Sequence, residues 1–140
     1  MADTVISRSP EQTEQVGARL AEICTGGRVL ALTGDLGAGK TALVRGLARA
    51  LGYQGAVTSP TFAIVNDYRA GGKTVLYHFD IYRLDAGGLD DIGWDDYLAE
   101  GVPVAVEWAE NAAALLPDDA VRVHMSGSGE EPREISITVP

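Results

Sequence analysis

Cysteine is nearly absent from this chain, since Cys24 is the single one among 140 residues. A lone cysteine excludes a disulfide within the chain, so the fold must rest on packing and hydrogen bonds. Cys24 falls in an amphipathic helical pattern, and we interpret it as a small core residue. A chain without disulfides suits a reducing compartment, and we expect a cytoplasmic protein.

Long apolar runs are also missing. Hydrophobic residues make up 46% of the chain, which is ordinary for a globular protein, but no run approaches the length of a membrane span. The first residues, Met1 to Thr4, show neither the basic stretch nor the apolar stretch of a signal peptide. We therefore expect no membrane partner.

Positive charge is scarce. Eleven Lys and Arg residues stand against twenty Asp and Glu residues, which gives a net charge of −9, and the basic residues are scattered rather than clustered. A phosphate backbone repels such a surface unless a local basic patch overrides it. We expect no DNA partner, and we expect any action on RNA to go through partner proteins.

The length is enough for one domain with one core, and we assign residues 1–140 to a single domain. Apolar runs alternate with helical patterns, which is typical of an α/β fold with a mainly parallel central sheet flanked by helices. Glycine-rich turns at 70–73 and 127–129 predict antiparallel hairpins, so the sheet is expected to be mixed. The predicted helices run from Pro10 to just before Gly26 and over 41–51, 87–97 and 111–116, and the predicted strands cover 28–32, 62–68, 74–84, 102–107, 120–125 and 134–139.

The residues Gly34 to Thr41 match the phosphate-binding pattern G-x-x-x-x-G-K-[S/T] at every defined position. An apolar run precedes the match and a helical pattern follows it, a context that argues against a glycine-rich turn that binds nothing. Glycines let successive backbone N–H groups face phosphate oxygens, and the start of the helix adds unpaired N–H groups and a positive dipole end. Lys40 is expected to reach the β- and γ-phosphates, and the Thr41 hydroxyl to bind Mg²⁺. The predicted ATP contacts from this segment are Gly34, Asp35, Leu36, Gly37, Ala38, Gly39, Lys40, Thr41 and Ala42.

A phosphate-binding loop also needs a carboxylate at the end of a neighbouring strand to hold or orient the metal. Glu107 ends the most apolar strand of the chain, and Asp80 lies in an apolar stretch where a lone acid is costly without a partner. The alternative for either acid is a strand end that faces water. We assign Thr41 and Glu107 as Mg²⁺ ligands, directly or through water, and Asp80 as the group that polarises the attacking water or holds a metal-bound water. Lys40, Asp80 and Glu107 are thus the predicted catalytic residues.

Hydroxyl groups follow the phosphate loop at some distance. Ser59 and Thr61 flank Pro60, which stiffens the turn, and Thr61 stands twenty-one residues after Lys40. That distance suits a switch segment that senses the γ-phosphate, and a plain surface loop is the alternative.

Three other residues near these positions have two interpretations each. Trp108 in a strand would face away from Glu107 as a core residue, or it serves the site. His78 shares a strand face with Asp80, so it is either a near neighbour of that acid or a structural histidine, and we assign it no catalytic role. Arg133, near the last hairpin, is either a solvated turn residue or a group that reaches the nucleotide.

Beyond the phosphate loop, three stretches carry a family resemblance. They are Ser59 to Phe62, His78 to Leu84 and the pair Glu107 and Trp108, in an order and spacing that match the family. Over nearly its whole length the chain resembles the bacterial TsaE family, formerly YjeE, of P-loop ATPases in tRNA threonylcarbamoyladenosine biosynthesis. A phosphate loop alone occurs in thousands of proteins, but this combination is specific.

The resemblance implies a small, weak Mg²⁺-dependent ATPase that works in the cytoplasm with the proteins TsaD and TsaB. That complex places a threonylcarbamoyl group on the N6 atom of an adenosine in tRNAs, and the family member supports its turnover without transferring the group itself. The resemblance implies nucleotide and metal roles for Lys40 and Thr41, hydrolysis for Asp80, a metal-site acid in Glu107 and a functional aromatic in Trp108. It also implies a nucleotide contact for Arg133, on a weaker match.

Three other functions are compatible with a phosphate-binding loop. A small-molecule kinase would need an arginine-rich lid over its acceptor, and no such segment is present in the sequence. For a GTPase, Asp85 to Gly88 mimics a D-x-x-G switch, but no N-K-x-D or T-K-x-D segment is there to read guanine. A nucleotide-gated scaffold, in which ATP binding rather than hydrolysis matters, is the rival from another class.

Overall fold

Seven strands and five helical segments make up the part of the chain that the computed structural model describes, residues 2–35, 39–60, 64–130 and 132–140. The strands are β1 (Ala2–Ser7), β2 (Val29–Gly34), β3 (Val65–Ala70), β4 (Lys73–Asp80), β5 (Val104–Glu107), β6 (Val121–Ser126) and β7 (Arg133–Thr138). The helices are α1 (Pro10–Ile23), α2 (Lys40–Ala50), α3 (Ala86–Asp91), α4 (Trp94–Ala99) and a 3-10 helix at Ala109–Leu115.

The strands form one mixed sheet in the order β1-β7-β6-β2-β5-β4-β3. The central strands β6, β2, β5 and β4 run parallel, whereas β7 and β1 at one edge and β3 at the other run antiparallel to their neighbours. The predicted α/β architecture with a mixed, mainly parallel sheet and antiparallel hairpins is therefore confirmed.

Each face of the sheet has its own core. Helices α1 and α2 cover one face, where Leu30 and Leu32 of β2 pack against Leu43 and Leu47 of α2. On the other face α3, α4 and the 3-10 helix cover β4 and β5. Trp94 is fully buried there as a packing residue, and its indole N–H donates to the carbonyl of Leu115 at 3.1 Å.

Helix α1 begins as its sequence predicts. The hydroxyl of Ser9 accepts a hydrogen bond from the backbone N–H of Gln12, and Pro10 occupies the first turn. The Oε1 atom of the Gln12 side chain in turn accepts a hydrogen bond from the backbone N–H of Arg8, not from that of Ser9. Cys24 follows the helix in the core, which confirms it as a small core residue, and burial raises the pKa of its thiol to about 11.

Several element bounds differ from the sequence prediction. Strand β4 stops at Asp80 rather than at residue 84, because the chain turns there and the N–H of Leu84 donates back to the carbonyl of Ile81. The predicted helix over 87–97 is two short helices, since Gly93 takes a left-handed φ of 90° between them. Strand β1 was not predicted, and β3 begins at Val65.

Among the described residues, no helix is both long and apolar enough to cross a membrane.

Candidate functional site

The carboxyl ends of three neighbouring parallel strands meet at one place. Leu32 of β2 pairs with Glu107 of β5, and Glu107 pairs with Asp80 of β4. Residues in register on parallel strands point to the same face, so both carboxylates lie on the face that α1 and α2 cover. The structure thus brings together the two acids that the sequence singled out, beside the strand that leads into the phosphate-binding motif.

The chain leaves β2 against the backbone of β6. Gly34 has a φ of 134°, and a Cβ atom there would lie 2.0 Å from the carbonyl oxygen of Met125, so only glycine fits. The N–H of Asp35 donates to that same oxygen at 3.1 Å. Leu36, Gly37 and Ala38, which are predicted ATP contacts, lie outside the described residues.

Helix α2 begins on the far side of the motif. Its N-cap is Gly39, in a left-handed conformation, and it has no side chain with which to cap the helix. Lys40, Thr41 and Ala42 form the first turn. The free N–H groups of such a turn and the positive end of the helix dipole favour an anion at this position.

The Lys40 side chain is held inside the site. It is 6% exposed, its Nζ atom lies 3.4 Å from the carbonyl oxygen of Gly34, and the same atom lies 4.4 Å from the centroid of the Trp108 ring. A lysine ammonium over an indole ring is stabilised by the ring quadrupole. The charge of Lys40 is therefore aimed back across the motif towards β2 and β5.

Trp108 is neither a strand residue nor a fully buried core residue. Strand β5 ends at Glu107, and Trp108 has a left-handed φ of 61° that starts the 3-10 helix. Its half-buried ring lies 4.8 Å from the ring of Tyr82, centroid to centroid, and under the Lys40 ammonium. Both interpretations therefore have a contact behind them, because the ring packs against the core on the face away from Glu107 and also contacts the Lys40 ammonium.

Asp80 is buried and hydrogen-bonded rather than facing water. It is 6% exposed, and its Oδ2 atom accepts from the Ser59 hydroxyl at 3.1 Å while Oδ1 accepts from the N–H of Tyr82 at 3.0 Å. These contacts supply the partners that a carboxylate in an apolar stretch requires. They also place Ser59 at the site, whereas Thr61 lies outside the described residues.

Glu107 has a histidine partner that sequence analysis left unassigned. The Nε2 atom of His78 lies 2.6 Å from Oε2 of Glu107, and the two residues are 0% and 4% exposed. The other ring nitrogen of His78 lies 3.0 Å from the hydroxyl of Tyr68 on β3. Burial raises the pKa of Tyr68, and the nearby Glu107 charge adds to the effect. The available signal was that His78 and Asp80 alternate on one strand face.

A cleft of about 350 Å³ opens beside the start of α2. Gly39 and Ala42 line it on one side, and Arg133 lines it on another. The guanidinium of Arg133 donates to the carbonyl of Gly129 at 3.0 Å within the last hairpin. Ala42 and Arg133, both predicted to contact the nucleotide, thus border the same cleft. The residues from the start of the chain that complete it are Ser7, Arg8, Ser9, Pro10 and Thr13.

The donor set fits a hard divalent cation that is shared with phosphates. Thr41 supplies a hydroxyl in the first turn of α2, and Glu107 supplies a buried carboxylate at the end of β5. Mg²⁺ prefers oxygen ligands, and proteins bind it through one or two carboxylates together with substrate phosphates. The N-terminus of α2 and the Lys40 ammonium suit those phosphates.

Comparison with known proteins agrees with this architecture. The family model described as threonylcarbamoyl adenosine biosynthesis protein TsaE matches residues 7–135. The chain is similar to two proteins named tRNA threonylcarbamoyladenosine biosynthesis protein TsaE. The protein from Bacillus subtilis is 38% identical over 93% of this chain and 81% of its own, and the protein from Streptomyces coelicolor is 40% identical over 89% of this chain and 88% of its own.

The fold is also similar to a solved structure. The crystal structure of Bacillus subtilis YdiB superposes with a TM-score of 0.83 and 32% sequence identity, over 99% of this chain and 86% of that one. The family model covers most of the residues, and the relatives align over most of their own length. The chain belongs to the TsaE family.

Proposed function

We propose that this protein binds and slowly hydrolyses ATP with Mg²⁺, in support of tRNA N6-threonylcarbamoyladenosine formation. One observation carries the proposal: two buried carboxylates, Asp80 and Glu107, are in register on neighbouring strands beside a motif that ends in Lys40 and Thr41. Carboxylate and hydroxyl oxygens beside a lysine and a helix N-terminus are the groups that hold Mg²⁺ and phosphates.

The start of α2 provides the phosphate contacts. Backbone N–H groups of its first turn would face the β- and γ-phosphates, and Lys40 would exchange the Gly34 carbonyl for a phosphate oxygen. The hydroxyl of Thr41 and the carboxylate of Glu107 would hold Mg²⁺, directly or through water. When bound, Mg²⁺ neutralises charge on the β- and γ-phosphates.

We assign Asp80 to the attacking water. Its carboxylate is fixed by the Ser59 hydroxyl and by the N–H of Tyr82, so its orientation is set before ATP binds. A fixed carboxylate next to the γ-phosphate would accept a hydrogen bond from the attacking water and align it. Ser59 then serves as the residue that orients Asp80.

The cleft beside α2 is the place for the nucleoside. It adjoins the phosphate contacts at Gly39 and Ala42, and its volume of about 350 Å³ suits a small ligand. Arg133 borders it and offers a guanidinium for stacking or hydrogen bonding. We assign Arg133 to the nucleotide on this basis.

The biological setting follows from the family. The relatives carry a tRNA threonylcarbamoyladenosine biosynthesis name, and we infer that this chain acts in the same process in the cytoplasm, on a complex of TsaD and TsaB. The net charge of −9 disfavours direct binding to tRNA, so tRNA is met through that complex.

The substitution Asp80→Asn tests the hydrolytic role. The variant keeps the size of the side chain but removes its charge, so we expect ATP affinity within a few-fold of the unchanged protein and hydrolysis reduced by about a hundredfold or more. Asp67→Asn is the matched control, because Asp67 is exposed on β3 and contacts Arg69 and Thr74 instead.

Both variants are assayed for ATP hydrolysis and for tRNA modification with TsaD and TsaB. Loss of both activities in Asp80→Asn alone supports the proposal. Full modification by a variant that binds ATP without hydrolysing it would contradict the need for hydrolysis and favour a nucleotide-gated scaffold.

A further inference from the structure

A buried hydrogen-bonded path leads from Glu107 across the sheet. The ring of His78 lies between Oε2 of Glu107 and the Tyr68 hydroxyl, at 2.6 Å and 3.0 Å, and the His78 side chain is fully buried. The three residues come from β5, β4 and β3, which are neighbours in the sheet. A carboxylate held by an imidazole on one side has few accessible rotamers, so His78 fixes where Glu107 points.

The donors along the path follow from the chemistry of each group. A carboxylate only accepts hydrogen bonds, so Nε2 of His78 donates to Glu107. The Tyr68 hydroxyl has one proton and two partners within reach, Nδ1 of His78 at 3.0 Å and the carbonyl oxygen of Thr58 at 3.3 Å. Burial raises the pKa of Tyr68, which keeps that hydroxyl protonated. The side-chain amide of Asn66 lies 3.5 Å from the same hydroxyl and is the group able to donate to it.

The far end of the path reaches the segment at 57–60. The amide of Asn66 donates to the carbonyl of Thr58 at 3.1 Å, and the Tyr68 oxygen lies 3.3 Å from that carbonyl. The next residue, Ser59, donates to Asp80. Adjacent residues of one short segment are thus connected to both acids of the site, one directly and one through three side chains.

We propose that His78 is a positioning residue, which orients the Glu107 carboxylate for Mg²⁺ and, through Tyr68, couples that carboxylate to the segment at 57–60. The inference rests on the proposed function, because it assigns Glu107 to the metal. A displacement of Thr58 would change the Tyr68 hydrogen bonds and with them the orientation of Glu107. The same displacement would move Ser59 away from Asp80.

Two substitutions of His78 separate its two hydrogen bonds. In His78→Gln the amide reaches the position of Nε2 and keeps a donor towards Glu107, whereas in His78→Asn the amide reaches only the position of Nδ1. Tyr68→Phe keeps the ring and removes the coupling hydroxyl. Tyr77→Phe is the matched control, since the Tyr77 hydroxyl donates to Glu100 on the opposite face of the sheet.

The main measurement is ATP affinity by calorimetry, with Mg²⁺ and with EDTA, alongside thermal unfolding. We expect the increase in ATP affinity caused by Mg²⁺ to be about tenfold or more smaller in His78→Asn than in the unsubstituted protein. A loss of this size is typical of removing a group that orients a metal ligand. Affinity in EDTA should change little. His78→Gln should recover most of the gain, and Tyr77→Phe should keep all of it.

A second readout needs no nucleotide. Amide NMR shifts of Thr58 and Ser59 in the ATP-free protein should move in Tyr68→Phe and stay in place in Tyr77→Phe. Unmoved shifts in Tyr68→Phe would overturn the coupling, even if a His78 variant does not fold.

Two further outcomes would overturn the positioning role. One is that Mg²⁺ raises the ATP affinity of His78→Asn as much as that of the unsubstituted protein. The other is that the Asn and Gln variants lose this increase equally, which would indicate a merely structural histidine. An unsubstituted protein with no Mg²⁺ gain would overturn the proposed function itself, and this inference with it.

Discussion

Trp108 shows how a single backbone turn changes what a side chain does. A non-glycine residue in the left-handed region costs on the order of 1 kcal/mol, and Trp108 adopts a φ of 61° directly after the buried strand β5. The turn places its ring between the Lys40 ammonium and the ring of Tyr82. The strained turn therefore holds the ring against the lysine that we propose binds the phosphates.

This position makes Trp108 a natural reporter of ATP. If Lys40 moves from the indole ring to a phosphate, Mg·ATP should change the fluorescence of Trp108, and Trp108→Phe should abolish that change. Because phenylalanine retains a weaker cation–π contact, we expect the substitution to alter ATP affinity by less than about tenfold.

Trp94→Phe is the control for this signal. Trp94 is fully buried in the core beneath α3 and α4, against Phe79, whereas the Lys40 ammonium lies over the Trp108 ring. The ATP-dependent change should survive in Trp94→Phe, and its loss there with retention in Trp108→Phe would contradict the assignment.

At the scale of elements, α2 is held in place by an unusually close contact with α1. A Cβ atom on Gly46 would lie 1.9 Å from the carbonyl oxygen of Glu14, and one on Gly17 would lie 2.0 Å from the carbonyl oxygen of Leu43. Each helix thus presents a glycine to the backbone of the other. Since α2 begins at Lys40, this packing also sets the position of the helix N-terminus that we propose binds the phosphates.

The substitution Gly46→Ala tests that contact. Alanine would normally favour a helix by about 1 kcal/mol over glycine, but here the methyl group would overlap backbone that cannot rotate away. We expect a net loss of about 3 kcal/mol or more in the free energy of unfolding, measured by urea denaturation.

Gly87→Ala provides the comparison within a helix. Gly87 is exposed in α3, and a Cβ atom there meets nothing closer than 3.6 Å. We expect that variant to be unchanged or slightly more stable. Equal stability of the two variants would contradict the close packing of α1 and α2.

At the scale of the whole molecule, the sheet order explains where the site lies. Strand β2 lies between β6 and β5, and β4 follows β5, so the phosphate-binding motif and both acids meet at one edge of the parallel strands. Ligands of open α/β sheets bind outside the carboxyl ends of the strands. The site is the fold's general binding position, filled with groups suited to a triphosphate.

Much of this arrangement could be predicted from local patterns. Short stretches of sequence, with apolar runs and glycine at the turns, indicate three of the elements. They are the strand before Gly34, the helix after Gly39 and the strand that ends at Glu107. Asp80 and Glu107 stood out because an acid at the end of an apolar strand is unusual.

The parts that escaped prediction depend on contacts between distant segments. The pairing of His78 with Glu107 spans two strands, and no local pattern specifies which strand is the neighbour. The left-handed turn at Trp108 has no glycine to announce it in the sequence. The cleft near Arg133 is completed by residues just before α1 and in its first turns, which only the folded chain brings there.

The central claim is that Mg·ATP binds at this edge of the sheet through Lys40, Thr41 and Glu107. The most direct test is calorimetric titration with ATP, in Mg²⁺ and in EDTA, of the unsubstituted protein and of the variants Lys40→Ala, Thr41→Ala and Glu107→Gln. Thr41→Ser, which keeps the hydroxyl, is the control.

We predict saturable ATP binding that Mg²⁺ strengthens. Thr41→Ala and Glu107→Gln should bind ATP about tenfold or more weakly in Mg²⁺, with little change of affinity in EDTA. Lys40→Ala should lose ATP affinity under both conditions. Thr41→Ser should keep most of the affinity that Mg²⁺ adds. No binding by the unsubstituted protein, or equal losses with and without the metal in Thr41→Ala and Glu107→Gln, would contradict the account.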